Sequence, residues 1–380
     1  MKQCKACAVV CAVGLGCLLG CGSDDGSGDF AAGQAAYGVR DLKKAEKCIE
    51  KSVAALPTDV DRLLLLARVK LDLGDLVAAK DFADKAAGFA GEDSDVILFG
   101  AQVAWHMKDY EAAAKGFRSI AANAKLPAAV RSQGFSDLGI VEMSNNNPHF
   151  ARIDFLKAIR LDYHNASACY HLGLLFRDVF DYREAALEQF EKFVRLEASA
   201  SPRVQKVQRT IIPALKESIA KALTDRPGVS KRDSAACAAK ITKAEAALKK
   251  GQAKTARQLY QDALVTDPLS FPAAIGLAKT WPKADATRNG QVKSLEAYRI
   301  ACSLRPGSIS TFLTTGALAF QLGFHAQAVE IYSRAVAAAP NSLEALDGLI
   351  RSLRKIGNKA KIAQAYQDYR TDISAKTKRK

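Results

Sequence analysis

The chain has 380 residues, of which 49% are hydrophobic and only 7% aromatic, and it carries a formal net charge of +15. So much apolar surface excludes a disordered polyelectrolyte, and abundant alanine with few aromatics points away from a β-sandwich toward closely packed helices. No HExxH, Gly-rich phosphate loop or GxSxG elbow occurs, so the chain is expected to be no enzyme and to need no cofactor or metal.

Residues 1–20 hold Lys2 and Lys5 and then an uncharged, mostly apolar run from Ala6 to Gly20. That is the layout of a secretory signal peptide, too short to span a bilayer comfortably. At its end stand Leu18, Leu19, Gly20 and Cys21, followed by Gly, Ser and Asp. The quartet resembles a bacterial lipobox. The resemblance implies cleavage before Cys21, acylation of that residue (diacylglycerol, palmitate) and anchoring to a bacterial membrane, with the periplasmic face of the outer membrane as the expected place. Residues 21–29 then read as the lipidated cysteine and a flexible tether reaching at most ~3.5 Å per residue.

From 30 to 197 the chain repeats itself. Ala45, Ala79 and Ala113 fall 34 residues apart, and Gly33, Ile49, Phe117, Gly139, Phe155, Gly173, Ala186 and Phe190 stand at matching places. The fourth unit is stretched, with its extra residues expected at the Asn145–Pro148 turn or just before the repeat. Residues 198–233 break the pattern. They form a basic helical linker in which Pro213 must kink or divide the helix, covering the end of the first array; a continuous superhelix is the alternative.

The second array, 234–380, has four further units, of which Gly316 to Pro340 is the clearest. Gly316, Ala328 and Ala335 are small, Gly323 is a turn glycine, Tyr332 is aromatic and Pro340 closes the unit. Two short helices packed as a hairpin meet these requirements. The pattern resembles the tetratricopeptide repeat, so the expected fold is an all-α helical-hairpin solenoid of about nine repeats in two arrays. The last unit is polar toward its end, as a terminal cap should be.

The resemblance implies a concave groove lined by the first helix of each hairpin. Its groove positions correspond to Gln34, Tyr37, Arg68, Asp72, Gln102, Trp105, His106, Met143, Arg177 and Asp178 in the first array, and to Trp281, Phe320 and Gln321 in the second. Trp105 either anchors a partner or packs against the neighbouring helix. No carboxylate-clamp set of Lys, Asn and Arg appears at matching positions, so chaperone C-termini are not implied as ligands.

Charge is uneven: residues 21–200 hold 22 Lys and Arg against 27 Asp and Glu, whereas 201–250 hold 12 against 4 and 351–380 hold 10 against 2. The expected function is that of a membrane-anchored scaffold for protein–protein interaction or assembly in the cell envelope, with no nucleic acid partner. The alternative is a binder of polyanionic glycan or lipid headgroups through the basic linker and tail. Cys48, Cys169, Cys237 and Cys302 are expected as buried free thiols, and His164 and His171 as surface histidines without a role.

Overall fold

The computed structural model describes residues 25–377. Leu18, Leu19, Gly20, Cys21 and the last three residues of the basic tail lie outside the described residues. Every regular element described is helical. The chain divides into two compact units, residues 1–107 and 108–380. The first contains α1 (Ser27–Gly38), α2 (Leu42–Ala55), α3 (Val60–Asp72), α4 (Leu76–Ala90) and α5 (Ser94–His106). The second opens with α6 (Tyr110–Ala122), α7 (Ala128–Ser144), α8 (Pro148–Leu161), α9 (Ala166–Asp178), α10 (Arg183–Leu196), α11 (Pro202–Lys206) and α12 (Ile212–Thr224). It continues through α13 (Ser234–Lys249), α14 (Ala253–Thr266), α15 (Phe271–Ala284), α16 (Arg288–Leu304), α17 (Ile309–Gln321), α18 (His325–Ala338), α19 (Leu343–Lys355) and α20 (Ala360–Thr377).

Side-chain chemistry starts these helices where the sequence changes from turn to apolar pattern. Asp41, Asp59, Asp75, Asp93, Asp109, Asn165 and Asp233 each accept a backbone N–H of the first turn. A cap of this kind stabilises a helix by about 1 kcal/mol. The marker alanines Ala45, Ala79, Ala113, Ala151, Ala186, Ala256 and Ala328 are all completely buried, so the 34-residue rhythm is a rhythm of close helix contact. Within the units the helices pair as hairpins, with the first helices also touching one another, as α1 with α3 and α17 with α19. The fold is an all-α solenoid of tetratricopeptide-type hairpins.

Tyr332 shows why the glycines matter. Its ring lies between Gly316 on α17 and Gly348 on α19, and a Cβ added at Gly316 would stand 2.8 Å from the ring. Alanine at either place would force the helices apart, so one buried aromatic sets the spacing of two successive hairpins.

The extra residues of the fourth unit lie just before the repeat, one of the two places expected: they extend α7 at its start to 17 residues, against 13 in α9. The linker helix divides just before Pro213, as expected: α11 ends at Lys206, a π-helical turn spans Val207–Ile211 with Ile212 N–H bonded to Val207 O, and α12 opens at Ile212 with Pro213 in its first turn. The wider turn absorbs the bond that proline cannot donate. Val204, Val207, Ile211 and Leu215 bury their side chains in the same core as Phe193 of α10 and as residues of α17 to α20.

The terminal helix is no free cap. α20 packs against α8, and Tyr366 and Tyr369 are buried there. At the centre of this seam lies Arg152, completely buried. Its Nε donates to Tyr366 Oη at 2.7 Å, its Nη1 donates to Ser333 Oγ at 2.9 Å, and Nη2 also reaches Tyr366 Oη. The guanidinium lies 5.1 Å from the Phe180 ring centre and 5.0 Å from that of Tyr366. Its charge is thus met by lone pairs and ring faces, with no carboxylate among the described residues bonded to it. Arg160 repeats the contact at the margin, over Tyr369 and bonded to Asp372 O at 2.9 Å.

Candidate protein-binding site

In the first unit, the expected groove residues of α1 and α3 come together and bond to one another. Tyr37 Oη donates to Asp72 Oδ2 at 3.0 Å, and Arg40 Nη1 reaches the same oxygen at 2.9 Å. Arg68 lies over the Phe99 ring of α5, 5.3 Å from its centre. Gln34, Gln102 and His106 are exposed, and Trp105 is half-buried with its ring edge-on to His106 at 4.8 Å.

In the second unit the expected residues part company. Met143 packs against the core, and Arg177 forms a fork with its neighbour Asp178 at 2.6 and 2.8 Å. Trp281 is turned away from the first-helix wall, under the guanidinium of Arg257 on α14 at 4.6 Å. Phe320 is half-buried, 5.0 Å from the His325 ring and beneath Arg351.

What opens instead is a cleft of about 790 Å³ over α15, α17 and α19. Lys279, Pro282 and Lys283 form the α15 wall, Ser310, Leu313, Thr314, Ala317, Leu318 and Gln321 the floor on α17, and Glu344 the far rim on α19. Of the expected residues only Gln321 lines it. The i, i+4, i+7, i+11 spacing from Ser310 to Gln321 places these side chains along one helix stripe. That stripe could have been found in the sequence: α17 contains no charged residue at all. Lys279 and Lys283 carry no ion pair among the described residues, so they stand as free cations beside an uncharged floor.

Titratable groups elsewhere are perturbed by burial more than by one another. Burial pushes the Asp154 carboxyl up to about 7 against the opposing pull of Lys157, and that of Asp137 up to about 6. His149 and His171 are pushed down to about 4, again mainly by burial. His171 is therefore no surface histidine; it stacks on Phe155 at 6.0 Å, while His164 is exposed. Cys169, Cys237 and Cys302 are buried free thiols, and Cys48 is a half-buried one. No group of His, Cys, Asp or Glu among the described residues could hold a metal ion, and no described helix is long and apolar enough to cross a membrane.

The basic linker and tail are less available than their composition suggests. Arg203 covers Tyr170, Lys216 pairs with Glu191 at 2.9 Å, Arg226 bonds Ser303 at 2.8 Å, and Arg370 forks onto Asp347.

No family model matches the sequence, and no curated protein does. Among solved structures, the chain is similar to the pilF protein of Pseudomonas aeruginosa, with 18% identity, 53% of this chain and 94% of that chain covered, and a TM-score of 0.42. It is also similar to MamA (residues 41 to the end) of Desulfovibrio magneticus RS-1, with 20% identity, 47% and 98% covered, and a TM-score of 0.40. The APC/C heterotetramer Cut9–Hcn1 matches over 93% of this chain and 80% of that one at 15% identity, with a TM-score of 0.35. These likenesses concern the fold alone.

Proposed function

We propose that the chain is an exported scaffold, lipid-anchored at Cys21, that binds protein partners of the cell envelope in the cleft over α15, α17 and α19. The cleft carries the reading: a preformed concavity with an uncharged floor of Leu313, Ala317 and Leu318 and charged rims at Lys279, Lys283 and Glu344. A rigid solenoid wall presents such a surface at little ordering cost, so several shallow contacts suffice for binding. The lipobox resemblance of Leu18 to Cys21 supports the anchor. Polyanion binding through residues 198–233 and the tail is the weaker reading, because the arginines named above are already engaged.

Leu313→Glu tests the cleft: the variant should lose the envelope proteins that co-purify with the native chain, whereas Val265→Glu, at an 80% exposed position of α14, should keep them. Equal retention by both variants would overturn the cleft. For the anchor, Cys21→Ser should release the protein from the membrane fraction, and unchanged partition would overturn it.

A further inference from the structure

The first 200 residues are acidic on balance, yet α2 gathers lysine on one side. Lys43, Lys44, Lys47 and Lys51 are all exposed. Their spacing places them within about a third of the helix circumference, opposite the buried Ala45, Ile49 and Ser52. The two glutamates of α2 balance them only in part: Lys70 of α3 pairs with both, Glu46 and Glu50, at 2.7 Å each, which leaves one negative charge against the four lysines. None of the four lysines has an ion pair among the described residues. One side of α2 is therefore a row of lysines with a net positive charge.

We infer that this row docks the first unit onto an anionic phospholipid surface. Four observations choose that occupant. The row lies on the exposed side of a single helix, opposite its buried residues, which suits a plane of phosphates better than a shaped ligand. All four charges are lysines, hydrated point charges suited to diffuse attraction, and none is the arginine fork that reads a base or a carboxylate. α2 carries no aromatic on which a nucleobase could stack. And α1, which packs directly on α2, begins at Ser27, six residues beyond Cys21, a span of no more than about 20 Å. The last point rests on the anchoring reading; the first three do not. A row of charge beside the acyl anchor orients the first unit on the surface to which the anchor holds it.

The test is partition of the full chain, and of its Cys21→Ser variant, onto phosphatidylcholine vesicles with and without one quarter phosphatidylglycerol at low salt. The ratio of the two affinities cancels whatever the N-terminal segment contributes to both. Each lysine near such a surface favours it about five-fold, so the native ratio should be on the order of a hundred-fold or more and should collapse in high salt. Reversing Lys43, Lys44, Lys47 and Lys51 to Glu should bring it close to one. The fourfold Lys→Gln variant, which avoids new repulsion with Glu46 and Glu50, should lower it nearly as far. Reversing four scattered cations, Lys115, Lys125, Lys254 and Arg299, changes net charge equally and should leave most of the ratio. A native ratio near one, or equal losses in the row and scattered variants, would overturn the inference. So would a short DNA duplex that displaces the protein from vesicles at equal phosphate. Failure of the anchor shows separately, as no difference in phosphatidylcholine binding between the chain and its Cys21→Ser variant.

Discussion

The inner walls of the two units follow the same helical register and end in opposite states. Along α1 and α3, Tyr37, Arg40 and Asp72 bond to one another, and Arg68 lies over the Phe99 ring. Along α15, α17 and α19, the floor carries no charge and the lysines beside it have no ion pair among the described residues. Polar groups already bonded to each other gain little by exchanging partners, whereas the apolar surface of Leu313, Ala317 and Leu318 on an uncharged floor gains by every square ångström removed from water. Groove position alone therefore does not make a binding surface; what the side chains are already doing decides it.

If the open cleft depends on the seam that holds its back, Arg152→Ala should have the largest effect. It strips Tyr366 and Ser333 of their donor and leaves a hole, costing about 3 kcal/mol in urea unfolding followed by Trp281 fluorescence in a Trp105→Phe background. Arg152→Met, which fills the space but still leaves Tyr366 and Ser333 without their donor, should cost less, about 1–2 kcal/mol. Next in size is Gly348→Val, whose side chain meets the Tyr332 ring; it should cost about 2 kcal/mol and abolish partner retention by spreading α17 from α19.

Acidity sharpens the comparison further, because the strongly perturbed groups are all in the second unit. Folded Asp154 keeps its proton up to about pH 7, whereas an unfolded carboxyl loses it near 4. The folded state thus binds more protons between these values, and stability falls as pH rises through 7. Asp154→Asn should remove that slope and raise stability at pH 8 by on the order of 1 kcal/mol. His149 and His171 act in the opposite sense: with folded values near 4, their contribution is complete above about 6.5 and is lost as pH falls through 4. Smallest of all, Tyr37→Phe removes one exposed hydrogen bond and should cost about 0.5 kcal/mol, with no change in partner retention.

Much of the fold was legible because its determinants are local. Ala45, Ala79 and Ala113 announce helix contacts by spacing alone, and Gly316 with Tyr332 announces a hairpin. The seam was not legible, since Arg152 and Tyr366 lie 214 residues apart and no periodicity relates them. Nor was the cleft. The expected Trp281 sits one residue short of the lining pair Pro282 and Lys283, and 100° of helix rotation turns it onto Arg257 instead. The lysine row of α2 disappeared for another reason: its charges cancel when averaged over 180 residues of acidic sequence and emerge only on one side of one helix.

The most direct measurement is photo-crosslinking in the native cell, with the photoreactive residue placed at Thr314 on the cleft floor or at Tyr37 on the bonded wall. Specific adducts from position 314, absent at position 37 and lost with Leu313→Glu, are the predicted result. Adducts from position 37 with none from 314 would contradict the account and make the first unit's wall the binding surface.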